Sequence, residues 1–176
     1  MKRLFCVIPL VYLLCFAFGC QKAVEGITEG EAKALLDSYM VIMNENNLAL
    51  AEEIFDPECV LRYPILSEPL VGIEAFKTMV KNNAISFSDF KGTIQELVVK
   101  GNKIWSRYTI TATNTGAFGD LPPTGKTFHV TGVGITRVEG GKIVEDETFW
   151  NVLDMMQQLG FTLVPPQPSE PQLEKK

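Results

Sequence analysis

The residues best suited to proton chemistry lie near the end of the chain. Lys142 to Asn151 read as one strand, and simple alternation puts Glu145, Glu147, Phe149 and Asn151 on one face. A Glu facing an apolar cavity has its proton affinity raised by desolvation, which suits general acid–base work. Glu147 is the candidate base, with Asn151 beside it as an amide donor and Phe149 as an apolar wall. Asp146 and Glu147 also fit a plainer reading, as solvated charges near a strand start. A second strand carries Ser106, Tyr108, Ile110, Ala112 and Asn114 on a common face. If that face lines a cavity, Tyr108 and Ser106 bring hydroxyls and Asn114 an amide that can donate to a ligand oxygen.

Other reactive side chains offer less. His129 is the single histidine, and nothing in the sequence marks a partner for it. Cys59 reads as a small buried hydrophobe. One His and one cysteine in the body of the chain make no metal pattern, so no metal and no cofactor is expected. Thr124-Gly125-Lys126 lacks the spacing of a phosphate-binding loop. Met40, Met43, Met155 and Met156 fall at helical positions and read as core. Arg107, on the opposite face from Tyr108, reads as structural, pairing a carboxylate.

The chain has 176 residues and a net charge of −5, with no cluster of Lys or Arg. That argues against nucleic-acid binding. Residues 1–19 have the layout of a secretory signal: Lys2 and Arg3, an apolar run from Leu4 to Phe18, then Gly19. The junction Gly19-Cys20 resembles the lipobox of bacterial lipoproteins. The resemblance implies cleavage before Cys20, lipidation of Cys20, and anchoring in the cell envelope. With Gln21 following, it implies the outer membrane if the host is Gram-negative.

Stepping along the mature chain, residues 20–27 read as a tether and Thr28-Glu29-Gly30-Glu31 as a capping box. Leu35, Leu36, Tyr39, Met40 and Met43 give a helical stripe. Leu48 to Phe55 read as a second short helix, stopped by Asp56-Pro57. Val60 to Tyr63 are briefly extended, and Ile73, Phe76, Met79 and Val80 mark a third helix. Two hairpins follow: 93–100 with 103–115 around Gly101-Asn102, and 128–138 with 142–151 around Gly140-Gly141. Residues 152–159 close the domain as a helix, and residues 164–176 form a Pro-rich tail expected to be disordered. Helices first and antiparallel strands later give an α+β fold with four to five strands.

Three segments carry a family resemblance. The loop from Thr113 to Lys126, then Gly141-Lys142-Ile143-Val144-Glu145, then Gln157-Gln158-Leu159-Gly160, resemble SnoaL-like polyketide (ester) cyclases. The resemblance spans 28–163 as one domain and implies the cone-shaped fold of nuclear transport factor 2, with a deep pocket for small amphipathic molecules. It implies metal-independent enolisation or cyclisation of a carbonyl substrate through a carboxylate acid–base. The family's acid–base Asp falls at Asn151, and a frequent family His falls at Asn114. An amide there can hydrogen-bond an enolate but cannot shuttle protons. Three readings therefore stand together: a cyclase or isomerase, a non-catalytic binder of a small apolar or aromatic ligand, and an envelope interaction module. By analogy a homodimer forms through the convex sheet face.

Overall fold

The computed structural model describes residues 26–164. The signal segment, Cys20, most of the expected tether and nearly all of the Pro-rich tail lie outside the described residues. Helix α1 (Glu29–Glu45) starts with the expected capping box: the Thr28 hydroxyl accepts from the Glu31 N–H, and the Glu31 carboxylate accepts from the Thr28 N–H at 2.9 Å. Ile27 donates from its N–H to the Gly101 carbonyl, so ordered contacts begin before the cap. A single 3-10 turn (Leu48–Leu50) leads into the short α2 (Ala51–Ile54). Then come strands β1 (Phe55–Arg62) and β2 (Leu70–Val71), helix α3 (Ile73–Ser86), strands β3 (Phe87–Lys100), β4 (Lys103–Asn114), β5 (Thr127–Glu139) and β6 (Lys142–Trp150), and helix α4 (Val152–Gln158).

The strands form one sheet in the order β2-β1-β6-β5-β4-β3, antiparallel except for the parallel pair β1–β6. This is the expected α+β architecture, with six strands instead of four to five. The additional strand is β2, two residues long. The first half also differs locally from the sequence reading. Pro57 does not separate a helix from a later strand; it lies inside β1. The register of β1 against β6 shifts between Phe55 and Val60, so the missing Pro57 N–H falls where the ladder is interrupted.

The core is in two parts. One packs α1, α2 and α3 on β1 and β6, around an aromatic trio of Tyr39, Phe55 and Phe76 with ring centroids 4.5–5.7 Å apart. The other lies at the α4 end, around Phe87, Phe128, Met155 and Leu159. Helix α1 is tied to the sheet by a side-chain amide. Asn44 Nδ2 donates to the Gly92 carbonyl at 3.0 Å, and the Gly92 N–H donates to Asn44 Oδ1 at 2.7 Å. The tie falls just past the β3 bulge at Ser88–Lys91, where Asp89 takes φ 53°. A Cβ at Gly92 would come within 2.9 Å of Met40 Sδ, so a side chain there would displace the Met40 thioether.

Asn44→Ala leaves both polar groups of Gly92 without their partner. The expected loss is about 2 kcal/mol, read as a lower urea midpoint at unchanged slope. An unchanged midpoint would show that water replaces the amide at no cost.

Candidate functional site

Between the two halves of the core the sheet and helices enclose a cavity of about 570 Å³, a size typical of small-molecule pockets. Three strands present successive rows of side chains to it. One row is Tyr108 and Trp150, paired across Gly132; the next is Ser106, Gly134 and Thr148; the third is Thr136 and Asp146, beside Ile104 of the core. The α1 side adds Met40 and Met43, and the far end adds Phe87, Phe128 and Met155. Met40, Met43 and Met155 thus line the cavity, where the sequence suggested plain core, while Met156 packs beside the second half of the core.

Asp146 is the carboxylate in this cavity, only 2 % exposed. It accepts a 2.6 Å hydrogen bond from the Thr136 hydroxyl and a longer one, 3.4 Å, from Tyr39. Tyr39 in turn shares a 2.6 Å hydrogen bond with Tyr63. Among the described residues no Lys or Arg pairs with Asp146. Burial therefore dominates and pushes its pKa up to about 6, opposed by the Thr136 and Tyr39 hydroxyls and reinforced by the neighbouring Glu147 charge. Burial also pushes Tyr39 and Tyr63 well above the usual phenol range, so both remain neutral donors.

Two further donors are buried in the cavity wall. Among the described residues Tyr108 Oη and Trp150 Nε1 have no hydrogen-bond partner. Burial raises the Tyr108 pKa; Thr148 lies close enough to offset part of that rise, but no contact of Tyr108 Oη meets hydrogen-bond geometry.

The residues singled out from the sequence divide sharply. Tyr108 and Ser106 line the cavity. Glu147 does not: it is half-buried on the opposite face of β6, level with Ile135 and Arg62. Phe149 shares that convex face and is 45 % exposed. Asn151 is exposed beyond the strand end, where its side chain accepts from the Asp154 N–H as the N-cap of α4. Asn114 is buried but turned to the loop. It donates to the carbonyls of Ser86 and Gly116 and accepts from the backbone and hydroxyl of Thr124. All the hydrogen-bonding capacity of its amide is used in holding the 115–126 loop against the end of α3, which leaves none for a ligand. The loop's Phe118, packed 5.0 Å from Phe87, completes the cavity wall.

Glu145, Glu147 and Phe149 do share a face, as alternation gives, but it is the face turned from the cavity, and the parity that decides which face is inward changes at a bulge. Val138 pairs with Ile143 and Arg137 with Glu145, so Val144 is an extra residue in β6. Counting by twos from Ile143 reaches Glu145, Glu147 and Phe149. The bulge shifts that parity and turns Asp146, Thr148 and Trp150 inward. The readable signal was on β5, where Gly132 and Gly134 stand mid-strand and mark a close approach over the sheet. Of the remaining residues, Arg107 pairs with Glu96 at 3.1 Å. His129 is exposed and hydrogen-bonded to Thr111, and Cys59 is buried.

Asp146 binds its proton more tightly in the folded chain than in the unfolded one. Its ionisation therefore destabilises the fold, with no penalty at low pH and the full penalty once pH has risen past about 6. Asp146→Asn removes that penalty. Its stability advantage over wild type should grow by roughly 2 to 3 kcal/mol between pH 4 and pH 7.5, measured by denaturant unfolding at both values. A constant difference would mean that Asp146 titrates normally.

The fold has close counterparts among solved structures. TsrD from Streptomyces laurentii superposes with a TM-score of 0.68 at 23% identity, covering 76% of this chain and 98% of its own. IdmH from Streptomyces antibioticus gives 0.63 at 25%, covering 73% and 98%. AclR from Streptomyces galilaeus gives 0.64 at 22%, covering 76% and 98%. No curated protein matches the sequence. The model of the SnoaL-like polyketide cyclase family matches residues 33–159, which contain every cavity row described above. The chain belongs to the SnoaL-like polyketide cyclase family.

Proposed function

We propose that the cavity takes a small, largely apolar carbonyl compound and that Asp146 moves a proton on it. The single observation that supports this reading is a buried carboxylate with its pKa pushed up to about 6, facing a largely apolar cavity. An ionised Asp146 is then a stronger base than a solvated carboxylate and still largely deprotonated at neutral pH. It would remove a proton from carbon next to the carbonyl and return one after rearrangement or ring closure. The Thr136 hydroxyl steadies the carboxylate, and Tyr39 supplies a second donor. This reading moves the acid–base role from Glu147 and Asn151 to Asp146.

The test is proton exchange. Aromatic methyl ketones and β-keto esters in D2O should gain deuterium at the activated carbon, followed by NMR. The rate should rise with pH through an apparent pKa near 6. Asp146→Asn should lower it about 100-fold or more, while Glu147→Gln leaves it within about twofold, since it removes no cavity group. A second reading, a pocket that binds without chemistry, is favoured by the exposed, helix-capping Asn151 at the family's acid–base position. Saturable binding of these ketones with no exchange above buffer would select it.

We propose separately that the chain is tethered by lipid on Cys20 in a bacterial envelope, with the domain presented to small molecules there. The signal-like run to Phe18 and the Gly19-Cys20 junction support it. Mass spectrometry of the membrane fraction should find a lipidated peptide beginning at Cys20. An unmodified product with another N-terminus would refute it.

A further inference from the structure

The orphan donors of the cavity sit around one glycine. Tyr108 on β4 and Trp150 on β6 are the cross-strand partners of Gly132 on either side. A Cβ at Gly132 would lie 2.5 Å from both Cζ and Oη of Tyr108 and 2.7 Å from the Phe149 carbonyl. Gly132 is not among the residues with positive φ, so close approach and not backbone conformation calls for glycine here. Its missing side chain lets the Tyr108 phenol lie over β5, with Thr148 of β6 close by. Tyr108 is 6 % exposed, and Trp150 Nε1 is buried. The large majority of buried donors are paired, so two donors on one register row of one cavity that find no partner among the described residues point to a partner that arrives from outside.

We propose that Tyr108 and Trp150 form an acceptor subsite that holds a carbonyl or ether oxygen of an uncharged ligand. The inference rests on the reading of this cavity as the functional site and adds what the ligand must present to it. The indole N–H can only donate, so the occupant must accept. A carbonyl oxygen has two lone pairs, one for each donor. The occupant is uncharged because among the described residues the lining holds no Lys, Arg or His to balance an anion, and Asp146 stands on the same wall, two rows further along β6. The rest of the ligand lies against Phe87, Phe90, Phe118 and Phe128, which sets an apolar and preferably flat body.

Three probes of one shape separate these demands: 2-acetylnaphthalene, 2-isopropylnaphthalene and 2-naphthoate, titrated by calorimetry at pH 7.5. The ketone should bind about tenfold tighter than the naphthoate. Tyr108→Phe should weaken the ketone about tenfold and leave the hydrocarbon unchanged. It removes an unpaired hydroxyl, so its melting temperature should equal or exceed that of wild type, which reports on folding. In wild type the ketone alone should shift the Trp150 indole N–H resonance downfield, with Trp105, on the convex face, as the internal reference. If none of the probes binds, if naphthoate matches the ketone, or if Tyr108→Phe and the Trp150 resonance ignore the carbonyl, the subsite is overturned. Asp146→Asn should keep the ketone preference. A preference that depends on Tyr108 without any deuterium exchange would therefore sink the proton-transfer reading alone, and exchange without that preference would sink only the subsite.

Discussion

One extra residue in one strand decides which groups meet in the cavity. With Val144 inserted, β6 sends Ile143 into the first half of the core and then Asp146, Thr148 and Trp150 to the same side. Without it, Glu145, Glu147 and Phe149 would follow Ile143 inward, and Asp146 would face the opposite side. The neighbouring strand answers at the same level, where β1 breaks register around Pro57. Two irregularities side by side thus re-aim the strand while the ladder resumes beyond them. Bulges bend strands and increase twist, so the same device also helps to separate the two halves of the core and leave a cavity between them.

What the bulge exposes to the cavity is costly to keep there. Asp146 has hydroxyl partners only, and no cation among the described residues pays down its desolvation. The Tyr39–Tyr63 pair is a further expense in polar burial, tolerable because each hydroxyl has a partner. Tyr108 and Trp150 have none. The stabilising side is the aromatic trio of Tyr39, Phe55 and Phe76, with Leu36, Ile42 and Leu61 around it. Tyr39 belongs to both sides, since its ring packs in the trio while its hydroxyl reaches Asp146. The carboxylate is therefore linked through Tyr39 to the aromatic core, while its short hydrogen bond comes from Thr136.

The sequence made the hairpins legible because Gly101 and Gly140-Gly141 carry the positive φ that tight turns need. The capping box at Thr28 was legible for the same kind of reason, being chemistry between near neighbours. The inward face of β4 was also readable, because that strand alternates without interruption from Ile104 to Asn114 on its β5 side. The site on β6 was not readable, since its parity depends on pairing with two other strands. Asn114 shows a different gap. Its burial follows from alternation, but its role as a staple depends on the path of the 115–126 loop, which alternation does not describe.

Asn151 makes the same point about family positions. In this chain the residue lies beyond the last cavity row and is spent on the α4 cap. A carboxylate there would cap the helix equally well and would sit in solvent, outside the cavity. Proton chemistry requires a desolvated carboxylate, and in this geometry the desolvated position on β6 is Asp146, on the inward side of the bulge. The identity of residue 151 therefore says little about whether this cavity can move a proton. The inward carboxylate itself depends on Val144, whose insertion turns Asp146 inward, and on Thr136, whose hydroxyl holds it in place.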